Sequence, residues 1–106
     1  MNSKLRNKII KEIKNERERQ ISVEGWSPSH DDKHDKRELA TAAACYAGDR
    51  RRWDAAAPVT WPWGGHYWKP KDPRSDLIRA AALIVAELER LDRAALQQEV
   101  SDENDI

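Results

Sequence analysis

The sequence predicts a mainly α-helical protein that forms one small domain of about three helices. Three observations favour this fold class. The chain has only 106 residues, apolar residues recur at helical spacing in three stretches, and the two stretches between them are rich in loop-forming residues. Charged residues make up 36% of the chain, but the formal net charge of zero and the tryptophan content argue for a folded protein rather than a disordered one.

The first predicted helix extends from about Lys4 to Glu24. Its apolar stripe contains Leu5, Ile9 and Ile13. Gly25 follows, and glycine is the residue type that ends helices in a left-handed conformation. The sequence NERERQ at 15–20 interrupts the stripe. This charged segment indicates either a solvated face with Glu–Arg pairs or the polar wall of a pocket, in which case Arg17 is a candidate ligand-binding residue.

The second predicted helix extends from about Asp35 to Gly48. Asp35 and Glu38 have the three-residue separation of a capping box at its start. Its apolar face contains Leu39, Ala43 and Tyr46. The alanines of this helix allow another helix to approach closely, and Cys45, the only cysteine, is interpreted as a small buried hydrophobe rather than a nucleophile.

The third predicted helix has Asp72 as its cap and Pro73 in its first turn. Its apolar residues recur at alternating steps of four and three. They are Leu77, Ala81, Ile84, Leu88, Leu91 and Ala95. This stripe predicts the side of the helix that faces the core. The predicted domain comprises residues 1–98, and the acidic residues 99–106 are predicted to form a disordered tail.

The segments 25–34 and 49–71 are the predicted functional loops. Loops of this length in a small domain are typical of function or of disorder, and their aromatic content argues against disorder. The sequence PVTW at 58–61 is compatible with a short strand.

The first loop contains the sequence HDDKH at 30–34, in which carboxylates lie between two histidines. Histidines four residues apart on a helix can hold a divalent metal, but the preceding Ser-Pro and the predicted cap that follows indicate a turn. Three interpretations stay open: a metal site, a structural capping turn, and a set of donors and acceptors for a polar ligand. The third predicts four ligand-binding residues, with no metal or cofactor. These are His30, Asp31, Asp32 and His34.

The second loop contains the sequence WPWGGHYWKPKD at 61–72, with three of the five tryptophans. A structural explanation is that tryptophans supply the core of a chain without phenylalanine, and Trp26 is the candidate core anchor. In WPW, however, the proline keeps the backbone extended, so both rings cannot enter a core side by side and one is available for stacking. The basic side chains that follow can meet a phosphate at the start of the third helix, where backbone amides favour anions. The predicted ligand-binding residues are Trp61, Trp63, Trp68, Lys69 and Lys71.

Composition restricts the partners of the chain. Nineteen basic residues balance nineteen acidic ones, so no overall field attracts nucleic acid. No apolar stretch approaches the length of a membrane span and no signal peptide is evident, so we expect a cytoplasmic protein without membrane contact.

The alanine-rich second helix and the wide apolar first half of the third offer more packing surface than three short helices can cover. A homo-oligomer is therefore expected.

Several segments together resemble a widespread group of small, uncharacterised phage and prophage proteins. They are EGWSPSHDDKH, ELATAAACYA, WPW and WKPKDPRSDLIRAAALIVAELERLDR, which lie within residues 16–93. More distantly, ER followed by GW, a polar loop and KPKDPRSDLIRAAALIVAEL looks like the ryanodine-receptor repeat domain. That resemblance implies a related helical fold and the sensing of nucleotide-derived signals. The phage resemblance implies a protein that sequesters host molecules, such as nucleotide signals of host immunity, in the host cytoplasm.

The leading hypothesis is a non-enzymatic protein that captures a nucleotide or cyclic nucleotide between the two loops. Aromatic and basic residues adjacent in a loop, without an assembled catalytic triad, favour binding over catalysis. One alternative is a protein-interaction module that grips a host protein through exposed tryptophans and the arginines of GDRRRW at 48–53. A metal-dependent hydrolase that uses HDDKH is the third hypothesis.

Overall fold

The computed structural model describes residues 2–48 and 56–104. Within these ranges the protein is mainly α-helical and contains no strand, which confirms the predicted fold class. The helices are α1 (Asn2–Ser22), α2 (Pro28–Asp31), α3 (Glu38–Ala47) and α4 (Pro73–Asn104), with a short 3-10 helix at Gly65–Tyr67. None of the helices in the described ranges is long and apolar enough to cross a membrane.

Helix α4 is the element on which the others pack. Helix α1 runs parallel to it, because Glu12 pairs with Arg74 and, one turn further along both helices, Glu16 pairs with Arg79. Helix α3 runs antiparallel to α4. The loop before α3 reaches Arg93, whereas Tyr46 near the end of α3 contacts Arg79.

Helix α1 buries a polar surface against the rest of the protein. It ends at Ser22, two residues before the predicted end, and Gly25 has the left-handed conformation expected of it, with φ 76°. Arg17 and Gln20 are buried, so the interpretation of 15–20 as a solvated face is wrong for these two residues. Arg17 can be buried although it is charged, because it forms ion pairs with Asp31 and Glu89.

Helix α3 begins at Glu38 rather than at Asp35. The reason is the backbone of Arg37, which has φ 66° in the left-handed region and so cannot continue a helix from the preceding residues. The predicted capping box is therefore wrong, and the Glu38 carboxylate instead accepts a hydrogen bond from the backbone N–H of Lys36 at 2.6 Å. The predicted apolar face is confirmed. Its residues Leu39, Ala43 and Tyr46 are all buried.

The start of α4 confirms the predicted cap. The Asp72 carboxylate accepts hydrogen bonds from the backbone N–H of Ser75 at 2.9 Å and from its hydroxyl at 2.7 Å. These bonds hold the pKa of Asp72 below its usual value of 3.8. At its other end α4 continues to Asn104, so residues 99–104 are helical, which differs from the predicted disordered tail.

The predicted core stripe of α4 does not face the core. Leu77, Ile84, Leu88 and Leu91 are between 48% and 55% exposed. Buried instead are the residues on a neighbouring face of the same helix, which include Ala80, Leu83 and Ala86. Small residues on α3 and α4 let the two helices approach closely, and aromatic rings from the loops fill the remaining volume. The core residues are Leu39, Ala42, Ala43, Cys45, Tyr46, Trp61, Trp68, Ala80, Leu83 and Ala86.

The segment 58–61 forms a turn. The short strand that its sequence would allow is not formed. The backbone N–H of Trp61 donates to the carbonyl of Pro58 at 2.9 Å, which closes the turn. Cys45 lies buried beside this turn, with its Sγ 3.4 Å from the hydroxyl of Thr60, and is the buried small residue that the sequence predicts.

Candidate functional site

The loop that contains HDDKH is held in place by Arg17. Its guanidinium forms a fully buried ion pair with Asp31 at 2.7 Å and also donates to the backbone carbonyl of Trp26 at 3.2 Å. The remaining edge of the guanidinium contacts Glu89 of α4 at 2.9 Å. One side chain of α1 therefore fixes this loop against α4.

Local chemistry explains why this loop contains a short helix. Ser27 has extended backbone and its hydroxyl accepts the N–H of His30, and Pro28 suits the first turn that follows. A turn at residues 32–33 then ends α2. Because α2 comprises only four residues, His30 lies within it and His34 lies beyond it.

The two histidines contact each other and also the carboxylates beside them. Their rings meet edge to face with centroids 4.8 Å apart. The Nδ1 atom of His30 lies 3.3 Å from Asp31, and that of His34 lies 3.3 Å from Glu38. Among residues 2–48 and 56–104 no cluster of three histidine, cysteine or carboxylate side chains has a geometry that could hold a metal ion.

The tryptophan-rich loop divides its rings between the core and a cavity. Trp61 and Trp68 are buried, and both pack on Tyr46 with centroid distances of 5.5 Å and 4.7 Å. The indole N–H of Trp61 donates to the carbonyl of Gly64 at 3.1 Å, which fixes the turn after the WPW sequence. Trp63 is only half-buried and lies at the edge of this core.

Trp63 brings the two loops together. Its ring centroid lies 5.7 Å from that of Trp26 and 5.3 Å from that of His34. It also contacts Trp61 edge to face at 5.4 Å, so the two rings of WPW lie perpendicular and only one of them is fully buried. The Trp63 ring therefore forms the contact between the tryptophan-rich loop and the histidine loop.

A cavity of about 390 Å³ opens where the loops meet. Its wall consists of Glu24, Trp26, His30, His34, Trp63 and Tyr67. Five of these six side chains carry aromatic rings, and the volume lies within the range of small-molecule sites in proteins. We call this space the aromatic cavity.

The carboxylate of Glu24 in the cavity wall lies close to basic side chains. Glu24 accepts a hydrogen bond from Arg19 at 3.1 Å, and the Nζ of Lys69 lies 4.0 Å from it. Glu16 also binds Arg19, and these hydrogen bonds raise the pKa of Arg19. Burial raises the pKa of Glu16, but the hydrogen bonds and charges of its basic neighbours, Arg19 first, hold that pKa below its usual value. The Glu16 carboxylate therefore remains charged at neutral pH.

The structure brings four of the ten predicted ligand-binding residues to this site. His30, His34 and Trp63 line the aromatic cavity, and Lys69 lies at its edge through its contact with Glu24. The sequence does not by itself indicate that the two loops share one space. Their shared wall makes this cavity the candidate site.

The other six predicted residues lie elsewhere. Arg17 and Asp31 form the buried pair that holds the histidine loop, and Asp32 is exposed and binds Arg93 at 2.8 Å. Trp61 and Trp68 belong to the core. Lys71 is exposed outside the core, and its backbone N–H donates to Asp76 at 2.8 Å.

Three residues of the aromatic cavity are not among the predicted ligand-binding residues. Trp26 is predicted as a core anchor, whereas it packs against the core and also lines the cavity. The other two are Glu24 and Tyr67. Both lie within two residues of a tryptophan, so the aromatic clusters themselves were the signal that could have identified them.

No protein-family model matches the chain, and neither the curated proteins nor the solved structures include a significant match. The resemblances to the phage proteins and to the ryanodine-receptor repeat domain therefore stay predictions.

Proposed function

We propose that the protein is a non-enzymatic binding protein whose ligand is a nucleotide or cyclic nucleotide held in the aromatic cavity. The observation that supports this most strongly is the wall of the cavity itself, in which Trp26, Trp63 and Tyr67 surround a space of small-molecule size. Indole and phenol rings stack on nucleobases irrespective of sequence, and each such contact contributes about 1–3 kcal/mol.

The charges around the cavity favour an anionic ligand over a cationic one. Aromatic cages also bind quaternary ammonium groups through their ring faces, and an available negative charge strengthens that attraction. Here Glu24 is neutralised by Arg19 and approached by Lys69. A phosphate can attract Lys69 away from its 4.0 Å contact, and a base between the rings leaves the phosphate directed toward that lysine.

Binding rather than catalysis is the proposal because the polar groups near the cavity are already engaged. Asp31 is covered by Arg17, and the two histidines contact their own carboxylate neighbours. Among the described residues of the wall there is no serine, cysteine or threonine beside a histidine, so these residues offer no activated nucleophile.

Calorimetric titration against a panel of nucleotides and cyclic oligonucleotides tests the proposal. We expect saturable heat with one class of phosphate-containing ligand and a weaker signal with the corresponding nucleoside, because the nucleoside lacks the contact with Lys69. Uniformly absent heat at high micromolar protein would contradict the proposal.

Two substitutions and a matched control assign the binding to the cavity. Tyr67→Ala removes a half-exposed ring from the wall, and Lys69→Ala removes the adjacent positive charge. Both should weaken binding by about fivefold or more, since loss of one stacking or charged contact costs about 1–3 kcal/mol. Val59→Ala changes a fully exposed side chain outside the cavity and should leave affinity unchanged.

The alternative function is a protein-interaction module. Tryptophan and arginine dominate the binding energy of many interfaces, and the arginines of 50–52 with Trp53 are the predicted contact residues. That segment lies outside the described residues. Trp63→Ala distinguishes the two functions, because loss of small-molecule binding supports the cavity, whereas loss of a co-purifying protein with unchanged ligand heat supports the interface.

A metal-dependent hydrolase remains the third candidate. It would need the carboxylates of HDDKH, yet the Asp31 carboxylate is occupied by Arg17 at 2.7 Å and Asp32 is directed to Arg93. Metal analysis of protein purified without chelators or an affinity tag tests this function, and one tightly held metal per chain would favour it.

We also propose that the protein self-associates and that it captures the nucleotide as a counter-defence protein in a phage-infected cell. Of the two surfaces expected to drive association, the alanines of α3 are covered within one chain, since Ala42 and Ala43 are buried. In the first half of α4, Leu77 and Ile84 are half-exposed, so this half of α4 is the surface that remains for association.

A further inference from the structure

The exposed stripe of α4 is an apolar seam without a partner among the described residues. Leu77, Ile84, Leu88 and Leu91 are half-exposed, although alternating steps of four and three residues are the spacing of a coiled-coil seam. Soluble monomers rarely leave such a continuous apolar surface in water. We call these four residues, together with Ala81 and Ala95 in the same stripe, the α4 seam.

A second apolar surface lies on the first half of α1. The pair between Glu12 and Arg74 marks the level at which α4 begins, so residues 2–11 extend beyond the start of α4. Leu5, Ile9 and Ile10 in this segment are between 40% and 63% exposed. An isolated helix of this length is marginal in water, so the segment gains stability if another helix covers it.

We propose that a second copy of this chain covers both surfaces, with the two α4 seams packed antiparallel about a two-fold axis. In this arrangement the C-terminal part of each α4 lies at the end of the dimer where α1 of the partner begins. The same surface is used on both copies, as in other two-fold homodimers.

The sizes of the seam residues favour the antiparallel orientation. With the axis between Ile84 and Leu88, these two residues pack on each other. The outer layers pair Leu91 with Ala81 and Leu77 with Ala95, so each layer combines one large and one small side chain. Alternation of large and small residues across facing positions fills a helical interface evenly. A parallel pair would instead place alanine opposite alanine and leave gaps.

The charges at the two ends favour the same orientation. Residues 2–11 carry four basic and no acidic side chains, namely Lys4, Arg6, Lys8 and Lys11. Residues 95–104 carry three acidic and no basic side chains, namely Glu99, Asp102 and Glu103. An antiparallel pair brings the basic segment of one copy to the acidic segment of the other, whereas a parallel pair brings like charges together.

Light scattering on a sizing column tests whether the dimer forms. We expect the full chain to have twice its mass of 12.2 kDa at micromolar concentration. Ile84→Asp places two charges at the centre of the seam and should reduce the mass to that of one chain, with helix content unchanged by circular dichroism. Val59→Asp, an equal change at an exposed site away from the seam, should leave the dimer intact. A wild-type chain that stays monomeric would overturn the proposal.

Single-cysteine variants test the orientation independently of whether Ile84→Asp folds. In a Cys45→Ala background, an oxidised mixture of Leu77→Cys and Ala95→Cys should form a disulfide between the two variants after subunit exchange. Each variant alone should stay uncrosslinked. Efficient self-crosslinking of Leu77→Cys would identify a parallel pair and overturn the antiparallel arrangement.

Charge reversal tests the contact between the ends. Lys8→Glu combined with Lys11→Glu should weaken dimerisation at least tenfold, because the acidic segment of the partner then meets acidic residues. Adding Glu99→Lys and Asp102→Lys should restore dimerisation. Absence of this rescue at low ionic strength would contradict the proposed pairing of the ends.

Discussion

Two interfaces between elements of the fold, which we call the apolar joint and the ionic joint, depend on opposite kinds of chemistry. The joint between α3 and α4 is apolar, with Leu39, Leu83 and Ala86 buried together under the rings of the tryptophan-rich loop. The joint that holds α1 and the histidine loop to α4 is ionic, and its centre is the buried contact between Arg17 and Asp31. The aromatic cavity lies where these two joints meet.

The apolar joint therefore supplies stability to the fold, whereas the ionic joint determines where the histidine loop lies. Apolar packing is non-directional and supplies most of the free energy of folding, whereas a buried ion pair costs desolvation and contributes little net stability. An ion pair does impose a direction. Arg17 can satisfy Asp31, the carbonyl of Trp26 and Glu89 only in one arrangement of the loop, so it fixes where Trp26 and His30 stand in the cavity wall.

The largest effect is expected from breaking the ionic joint on one side only. Arg17→Met leaves the fully buried Asp31 carboxylate without its cation, which should lower the free energy of unfolding by about 3–5 kcal/mol. The double variant Arg17→Met with Asp31→Leu should lose much less, because no uncompensated charge remains buried. Urea unfolding of Arg17→Met, of Asp31→Leu and of the double variant measures this. Additive losses in the double variant would show that the two residues act separately.

A somewhat smaller loss is expected at the apolar joint. Leu83→Ala removes a fully buried side chain between α3 and α4 and should cost about 2–5 kcal/mol in urea unfolding. No second substitution should rescue it in the way that Asp31→Leu rescues Arg17→Met, since packing has no charge to balance. Val59→Ala is the exposed control and should change stability by less than about 0.5 kcal/mol. A loss at Leu83 as small as that of the control would mean that the apolar joint is loosely packed.

The smallest effect is expected at the cap of α4, which belongs to neither joint. The hydrogen bonds of Ser75 lower the pKa of Asp72, so the cap stabilises the fold above the unfolded-state pKa near 3.8 and is lost as pH falls through the lower folded-state pKa. Asp72→Ala should therefore reduce the urea midpoint at neutral pH, and the difference from wild type should shrink below pH 3.8. Asp72→Asn, which retains a cap without ionising, should stay closer to wild type at neutral pH. A difference independent of pH would contradict the role of the carboxylate.

The sequence predicted the helices wherever a local signal was sufficient. The Asp72 cap, the left-handed Gly25 and the buried face of α3 all depend on neighbouring residues, and the structure contains each of them. The start of α3 could not be predicted, because Arg37 adopts a left-handed backbone that its residue type does not favour.

The face that α4 presents to the core depends on contacts that are distant in sequence. The leucine stripe is the stronger periodic signal, but α3 offers alanines and the loop offers tryptophans, and these pack best on Ala80, Leu83 and Ala86. For a similar reason, only part of the candidate site could be predicted from the sequence. His30, His34 and Trp63 belong to conspicuous clusters, whereas the contact between Glu24 and Lys69 joins residues that are distant in sequence.

The tryptophan contacts also give the protein an optical signature. The indole rings of Trp68, Trp61, Trp63 and Trp26 form a continuous series with successive centroid distances of 5.0, 5.4 and 5.7 Å. Transition dipoles this close couple, so the folded chain should show a strong exciton couplet in its circular dichroism spectrum. Excitation absorbed in the core can pass along the series to the two rings that line the aromatic cavity, where emission responds to whatever lies beside them.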